Sequence, residues 1–157
     1  KLTFKGIQPY AGCTYIGIKT NCTMDTLSGK MSDDFAKLSA WAAQHAGDVA
    51  GPGFSIYHTW DVVKNKVAFT SAFPVKQVPA QLPAGFISGS IPAMNVNTIA
   101  HTGTYAHLGN AWTTQYMMQR NKEYKYRKGI DPFEVYANMP GQVPNEHLVT
   151  EIHFPVV

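Results

Sequence analysis

Two carboxylates and a set of aromatic side chains are the residues of this chain that can do chemistry on a small molecule. Glu151 stands in His147-Leu-Val-Thr-Glu-Ile-His-Phe-Pro-Val156, which alternates: Leu148, Thr150, Ile152 and Phe154 point one way, Val149, Glu151 and His153 the other. If Ile152 and Phe154 pack under a helix, Glu151 faces the opposite side. A partly desolvated carboxylate there favours its neutral form or a cationic partner; the plain alternative is an exposed strand glutamate. Tyr57 and Tyr136 each follow a strand phenylalanine by three residues, in Phe54-Ser-Ile-Tyr57 and Phe133-Glu-Val-Tyr136, so the two face the same side of their strands. Facing rings with a carboxylate make a box for a flat or cationic ligand, and a tyrosine can also act as an acid. Glu134 shares the parity of Tyr136; it either holds a tyrosine or backbone group in the site or makes a structural salt bridge. Trp60, at a strand end beside Asp61, is a candidate wall or lid. Trp112 lies on an apolar helix stripe with an edge able to reach a cleft, and Met94 completes the candidate ligand contacts.

Other chemistries find no pattern. His45, His58, His101, His107, His147 and His153 lack compact metal spacing, so no metal is expected. There is no Gly-x-Ser-x-Gly and no Walker or dinucleotide fingerprint, and no cofactor is expected. Net charge is +3, too small to argue for nucleic acid as main partner. The basic run 120–128 reads as a solvated helix exit. No apolar run approaches the roughly 18–20 residues of a membrane span. Cys13 and Cys22 fall along one extended segment, where a disulfide cannot close, so two free thiols in a reducing, cytoplasmic setting are expected. Asn21-Cys-Thr23 matches a glycosylation sequon, a pattern frequent by chance. The chain opens on Lys1 rather than Met, which reads as a piece of something longer.

The elements that must position these residues repeat. With 157 residues, 45% hydrophobic and 15% charged, the chain has enough for one domain or two fused halves. Residues 1–12 read as an extended lead-in. A strand over 14–23 is followed by a helix with Ser32 as N-cap and Phe35, Leu38, Trp41, Ala42 and His45 at helical spacing, then strands at 54–60 and 66–75. The second half repeats the order. A strand over 89–100, with Pro92 at its start, precedes a helix capped at Thr104, then the 133–136 strand and the terminal strand. Lys66-Val-Ala-Phe-Thr-Ser-Ala-Phe-Pro-Val75 ends in Phe-Pro-Val as the terminal strand does, which sets Phe154 on Phe73, Ile152 on Ser71 and Glu151 on Thr70. The expected fold is α+β: tandem βαββ repeats with pseudo-two-fold symmetry, antiparallel sheets each covered by one helix. Repeat one covers about 10–78, a linker about 79–86 and repeat two about 87–157.

Ala100-His-Thr-Gly-Thr-Tyr105, Leu108, Trp112, Phe133-Glu-Val-Tyr136 and Thr150-Glu-Ile-His-Phe-Pro-Val156 together resemble the GyrI-like, or AraC-type effector-binding, small-molecule-binding domain. The resemblance implies a duplicated βαββ (SHS2) module with an aromatic cleft between repeats and a glutamate on the last strand. It implies hydrophobic, cationic ligands, multidrug binding and a place in transcription regulation. It also leaves room for a fused or separate regulatory domain; these residues themselves carry no helix-turn-helix, so direct DNA contact is not expected. Two alternatives remain. One is a hydrolase opening cyclopropane-type toxins with Glu151 and Tyr136 as catalytic residues. The other is a protein-binding inhibitor of gyrase type.

Overall fold

Alternation along the last strand sorts its side chains to two faces. β8 (Val149–Val156) puts Ile152, Phe154 and Val156 into a cluster with Ile99, Ala111 and Tyr124, against which Trp112, Met118 and Tyr126 pack. Each such apolar side chain contributes about 1.5–3 kcal/mol by leaving water. The computed structural model describes every residue, Lys1–Val157. In chain order the other elements are β1 (Leu2–Tyr10), β2 (Cys13–Cys22), α1 (Leu27–Gln44), β3 (Phe54–Asp61), β4 (Lys66–Val75), β5 (Ile87–Ile91), β6 (Met94–Thr102), α2 (Gly109–Arg120) and β7 (Phe133–Tyr136). The fold is α+β with antiparallel strand pairing, as the repeat pattern leads one to expect.

The chain forms two units. The middle unit is Gly12–Pro92; the terminal unit joins Lys1–Ala11 to Ala93–Val157. In the middle unit the strands lie in the order β3-β4-β2-β5, and in the terminal unit β1-β6-β8-β7. These bounds differ from repeats at about 10–78 and 87–157 in two respects. The residues expected as a lead-in form β1, which pairs with β6 from Leu2↔His101 to Tyr10↔Met94. The strand expected over 89–100 is two strands broken at Pro92-Ala93, and the first of them, β5, pairs with β2. Each unit therefore has four strands, not three. Proline cannot donate to a ladder, so Pro92 is a natural point for the chain to leave one sheet. β1 is exposed along most of its length, so no hydrophobic period marks it in the sequence.

The two units share their ladder registers. Ile18↔Ser71 and Ser55↔Ser71 in the middle unit correspond to Ile99↔Ile152 and Glu134↔Ile152 in the terminal unit. The shared Phe-Pro-Val ends behave alike. β3 stops opposite Ala72 and β7 opposite His153, so Pro74 and Pro155 lie beyond the paired stretch on that side. Each proline carbonyl instead accepts from a loop amide: Ala50 N at 2.8 Å and Arg127 N at 2.9 Å.

α1 buries Asp34, Phe35, Leu38 and Trp41 along one stripe. It starts at Leu27, a turn earlier than a Ser32 cap would place it. The Thr23–Thr26 hydroxyl pair at 3.0 Å closes the preceding turn, and Met31 is drawn in to accept from Ser55 Oγ at 3.7 Å. α2 is pinned by a buried amide rather than by grease alone. Gln115 Nε2 donates to the carbonyls of Asn97 at 2.9 Å and Ile152 at 3.0 Å, and its Oε1 accepts from Asn97 Nδ2 at 2.8 Å. A buried side chain with both ends met holds one helix position over the sheet. The tyrosines of the basic 120–128 run are core residues: Tyr124 is buried with its hydroxyl on Gln115, and Tyr126 donates to the Ile130 carbonyl. Cys13 and Cys22, at the two ends of β2, are free thiols.

Candidate functional site

β7 is only four residues long, and its pairing decides where its side chains go. Glu134 lies opposite Ile152 and Tyr136 opposite Thr150. Ile152 packs under α2, so strand parity carries Glu134 to the same side, where it is 1% exposed. Two aromatic donors converge on it. Tyr136 donates its hydroxyl to Glu134 Oε1 at 3.1 Å, and Trp112 Nε1, from the first turns of α2, approaches Oε2 at 3.4 Å. Trp112 also packs on Phe154, with ring centres 5.4 Å apart. The Tyr105 ring, in a short 3-10 turn ahead of α2 (Tyr105–His107), lies 6.0 Å from that of Tyr136. Burial, and then the negative field of Glu134, push the Tyr105 hydroxyl up to about 12, so it stays a neutral donor at ordinary pH.

Glu151 sits differently. It is on the face away from α2, as the alternation requires, and is partly exposed. Lys5 of β1 reaches across to it, Nζ to Oε1 at 2.7 Å, and His153 Nε2 lies 3.5 Å from Oε2. His153 Nδ1 is 2.8 Å from Thr98 Oγ1, and its ring packs on Phe133 at 5.1 Å. Burial drives the imidazole down to about 4, against the upward pull of Glu151. Glu151 thus has its countercharge on β1, one strand beyond the neighbouring β6.

Of the residues singled out from sequence, the terminal unit brings together Glu134, Tyr136 and Trp112. Glu134 holds Tyr136, one of the two roles its parity allowed. Met94 is buried at the start of β6, opposite Tyr10. Tyr57 and Trp60 belong to the middle unit. Tyr57 is half-buried, 6.1 Å from the Trp60 ring and 6.4 Å from Phe69, and Trp60 is 54% exposed. Tyr105 was missed as a site residue. Its signal was its place in the His101-x-Gly103-x-Tyr105 turn, which reads from sequence alone as the start of a helical stripe. No three His, Cys, Asp or Glu side chains converge in a way that would hold a metal ion, and no helix is long and apolar enough to cross a membrane.

With this geometry in view, comparison with known proteins is informative. A family model described as the GyrI-like small molecule binding domain matches residues 10–157. Among solved structures, the EcmrR C-terminal domain is 20% identical, with a TM-score of 0.70 over 100% of this chain and 97% of that one. SAV2435 bound to tetraphenylphosphonium is 14% identical, with a TM-score of 0.72 over 99% of this chain and 94% of that one. A hydrolase from Listeria innocua is 10% identical, with a TM-score of 0.61 over 100% and 92%. In the EcmrR–DNA complex the likeness covers only 57% of the EcmrR chain, at 17% identity, 99% of this chain and a TM-score of 0.76. At these identities the structures speak to the fold. Curated protein sequences give no match.

Proposed function

This chain belongs to the GyrI-like small molecule binding domain family, and from that premise we propose that it binds a lipophilic, cationic organic molecule with Glu134 as the charge that selects it. The observation that carries the reading is Glu134 itself, a carboxylate 1% exposed with Trp112, Tyr136 and Tyr105 about it. A buried carboxylate is costly to keep ionised, and a cation of the right shape offsets that cost. Aromatic faces add about 0.5–2 kcal/mol each toward a desolvated cation. Glu151, the other candidate, supports the role less well, since Lys5 already meets its charge. The matching registers of the two units are read as a duplicated module, and the domain as the ligand-sensing part of a cytoplasmic regulator whose DNA-binding part lies elsewhere, in the same chain or another.

Tetraphenylphosphonium is the apt probe, being the ligand that SAV2435 carries. Calorimetric titration should show saturable binding that Glu134→Gln weakens at least tenfold and Glu151→Gln leaves within about threefold. Equal affinity in Glu134→Gln and the parent would sink the reading.

A hydrolytic second reading rests on the Tyr136–Glu134 hydrogen bond, since a hydroxyl shared with a buried carboxylate can pass a proton to or from a reacting group. Ring-opening of a reactive cyclopropane, lost in both Glu134→Gln and Tyr136→Phe, would favour it over simple binding.

A further inference from the structure

A cavity opens in the terminal unit at the foot of α2, on residues that the Glu134 cluster does not use. It measures about 730 Å³, and its lining includes Lys1, His101, Thr104, His107, Asn110 and Glu146. His101 is 2% exposed, yet its Nδ1 has no hydrogen-bond partner. Thr150, which faces it across the β6–β8 ladder, carries an equally buried Oγ1 that is also unmet. Native proteins leave few such atoms, because each unmade buried hydrogen bond costs about 1–3 kcal/mol. Two on neighbouring residues, one of them in a cavity wall, point to a polar group that comes from outside the chain.

The charges say which kind. Lys1 and His107 line the cavity against the single carboxylate of Glu146, and His101 adds an uncharged ring. Asn110 belongs to the first turn of the 12-residue helix α2, whose start carries positive partial charge. A metal ion does not suit the place, since no three ligating side chains converge. We propose that this cavity binds a small oxyanion, a carboxylate or phosphate group, with His101 Nδ1 donating to one of its oxygens and His107 and Lys1 supplying the countercharge. Desolvation above all holds the His101 imidazole below its ordinary value, so it meets the anion as a neutral N–H donor. A bound oxyanion favours the protonated ring and moves that value upward.

The test is a proton NMR titration of the histidine ring resonances of the full chain, with inorganic phosphate and with acetate as separate probes, at constant ionic strength kept with chloride. Saturable movement of the His101 and His107 signals is expected, with a higher His101 pKa at saturation. His107→Gln should weaken the response by about threefold or more, the scale of one partly screened charge. His101→Gln should abolish it; if that buried variant does not fold, His107→Gln decides alone. A response to phosphate only assigns a phosphate group, and a response to both probes assigns oxyanions generally. Shifts that do not saturate, that chloride reproduces, or that persist unchanged in His107→Gln overturn the proposal.

Discussion

The two units solve one packing problem, a helix laid over an antiparallel sheet, with different side chains at equivalent places. Under α2 the row is Ile99, Ile152, Glu134; at the same register in the middle unit it is Ile18, Ser71, Ser55. The next row is His101, Thr150, Tyr136 in one and Thr20, Phe69, Tyr57 in the other. The middle unit fills its second row with a fully buried phenylalanine, and its polar groups in this layer are short: Ser55 donates to Met31 and Thr20 to Asp34 at 2.5 Å, while the Ser71 hydroxyl is unmet. The terminal unit carries its buried carboxylate, Glu134, on the sheet, where the middle unit carries Asp34 on the helix, and it leaves two polar atoms unmet in the same layer. A sheet and helix of this register evidently fold without a glutamate there, since the other unit does. A buried charge that the fold does not require is a mark of binding or chemistry.

The largest effect should come from forcing the comparison. Ser55→Glu forces a carboxylate into a fully buried place where the middle unit sets a serine hydroxyl against Met31. It should cost about 3–5 kcal/mol, the usual penalty of an uncompensated buried charge, read as a lowered denaturant midpoint. Parent-like stability would break the contrast between the units. The reverse change, Glu134→Gln, should leave stability unchanged or raise it while tetraphenylphosphonium affinity falls about 10–100-fold, or about 1.4–2.8 kcal/mol.

A smaller effect separates the two faces of the terminal unit. His153 titrates near 6.5 when unfolded and near 4 when folded, because burial disfavours its charge. The folded state therefore binds this proton more weakly than the unfolded state. The stability it permits is complete above about 6.5, falls as pH drops below that, and reaches its floor near 4. Between pH 7 and 5 the loss should be on the order of 2 kcal/mol. Urea midpoints over that range, compared with those of His153→Gln, would show it; a flat difference would mean the ring is hydrated in solution. The smallest effect is at Lys5→Ala. The partly exposed Lys5–Glu151 pair should contribute no more than about 1 kcal/mol. Phosphonium affinity should scarcely move, and a large change would return Glu151 to the centre of the site.

The parts of this molecule that were legible in the sequence are those with a local period. The alternation through Ile152 and Phe154 placed the core face of β8, and the stripe through Phe35, Leu38 and Trp41 placed α1. The Phe-Pro-Val endings gave the register between units, and with it the shared side of Tyr57 and Tyr136. The edge strands were not legible. β1 has no buried stripe to betray it, and its partner β6 lies some ninety residues away in the chain. Choosing between the carboxylates failed for a related reason. Parity could set Glu134 with Tyr136 and Glu151 with His153, yet not that the pairing of Tyr136 with Thr150 would put Glu134 and Tyr136 on the face opposite Glu151, nor that Lys5, 146 residues distant, would neutralise one carboxylate while α2 brought Trp112 to the other.

What the sequence determined by itself, then, is the family, the α+β class and the core face of the strands that carry a hydrophobic period, because these follow from nearest-neighbour periodicity and short motifs. What only the tertiary structure decided is which charge is met and which is buried. Desolvation and Coulomb energy depend on distances through space, and those are set by which strand and which helix the chain brings alongside Glu134, Glu151 and His101.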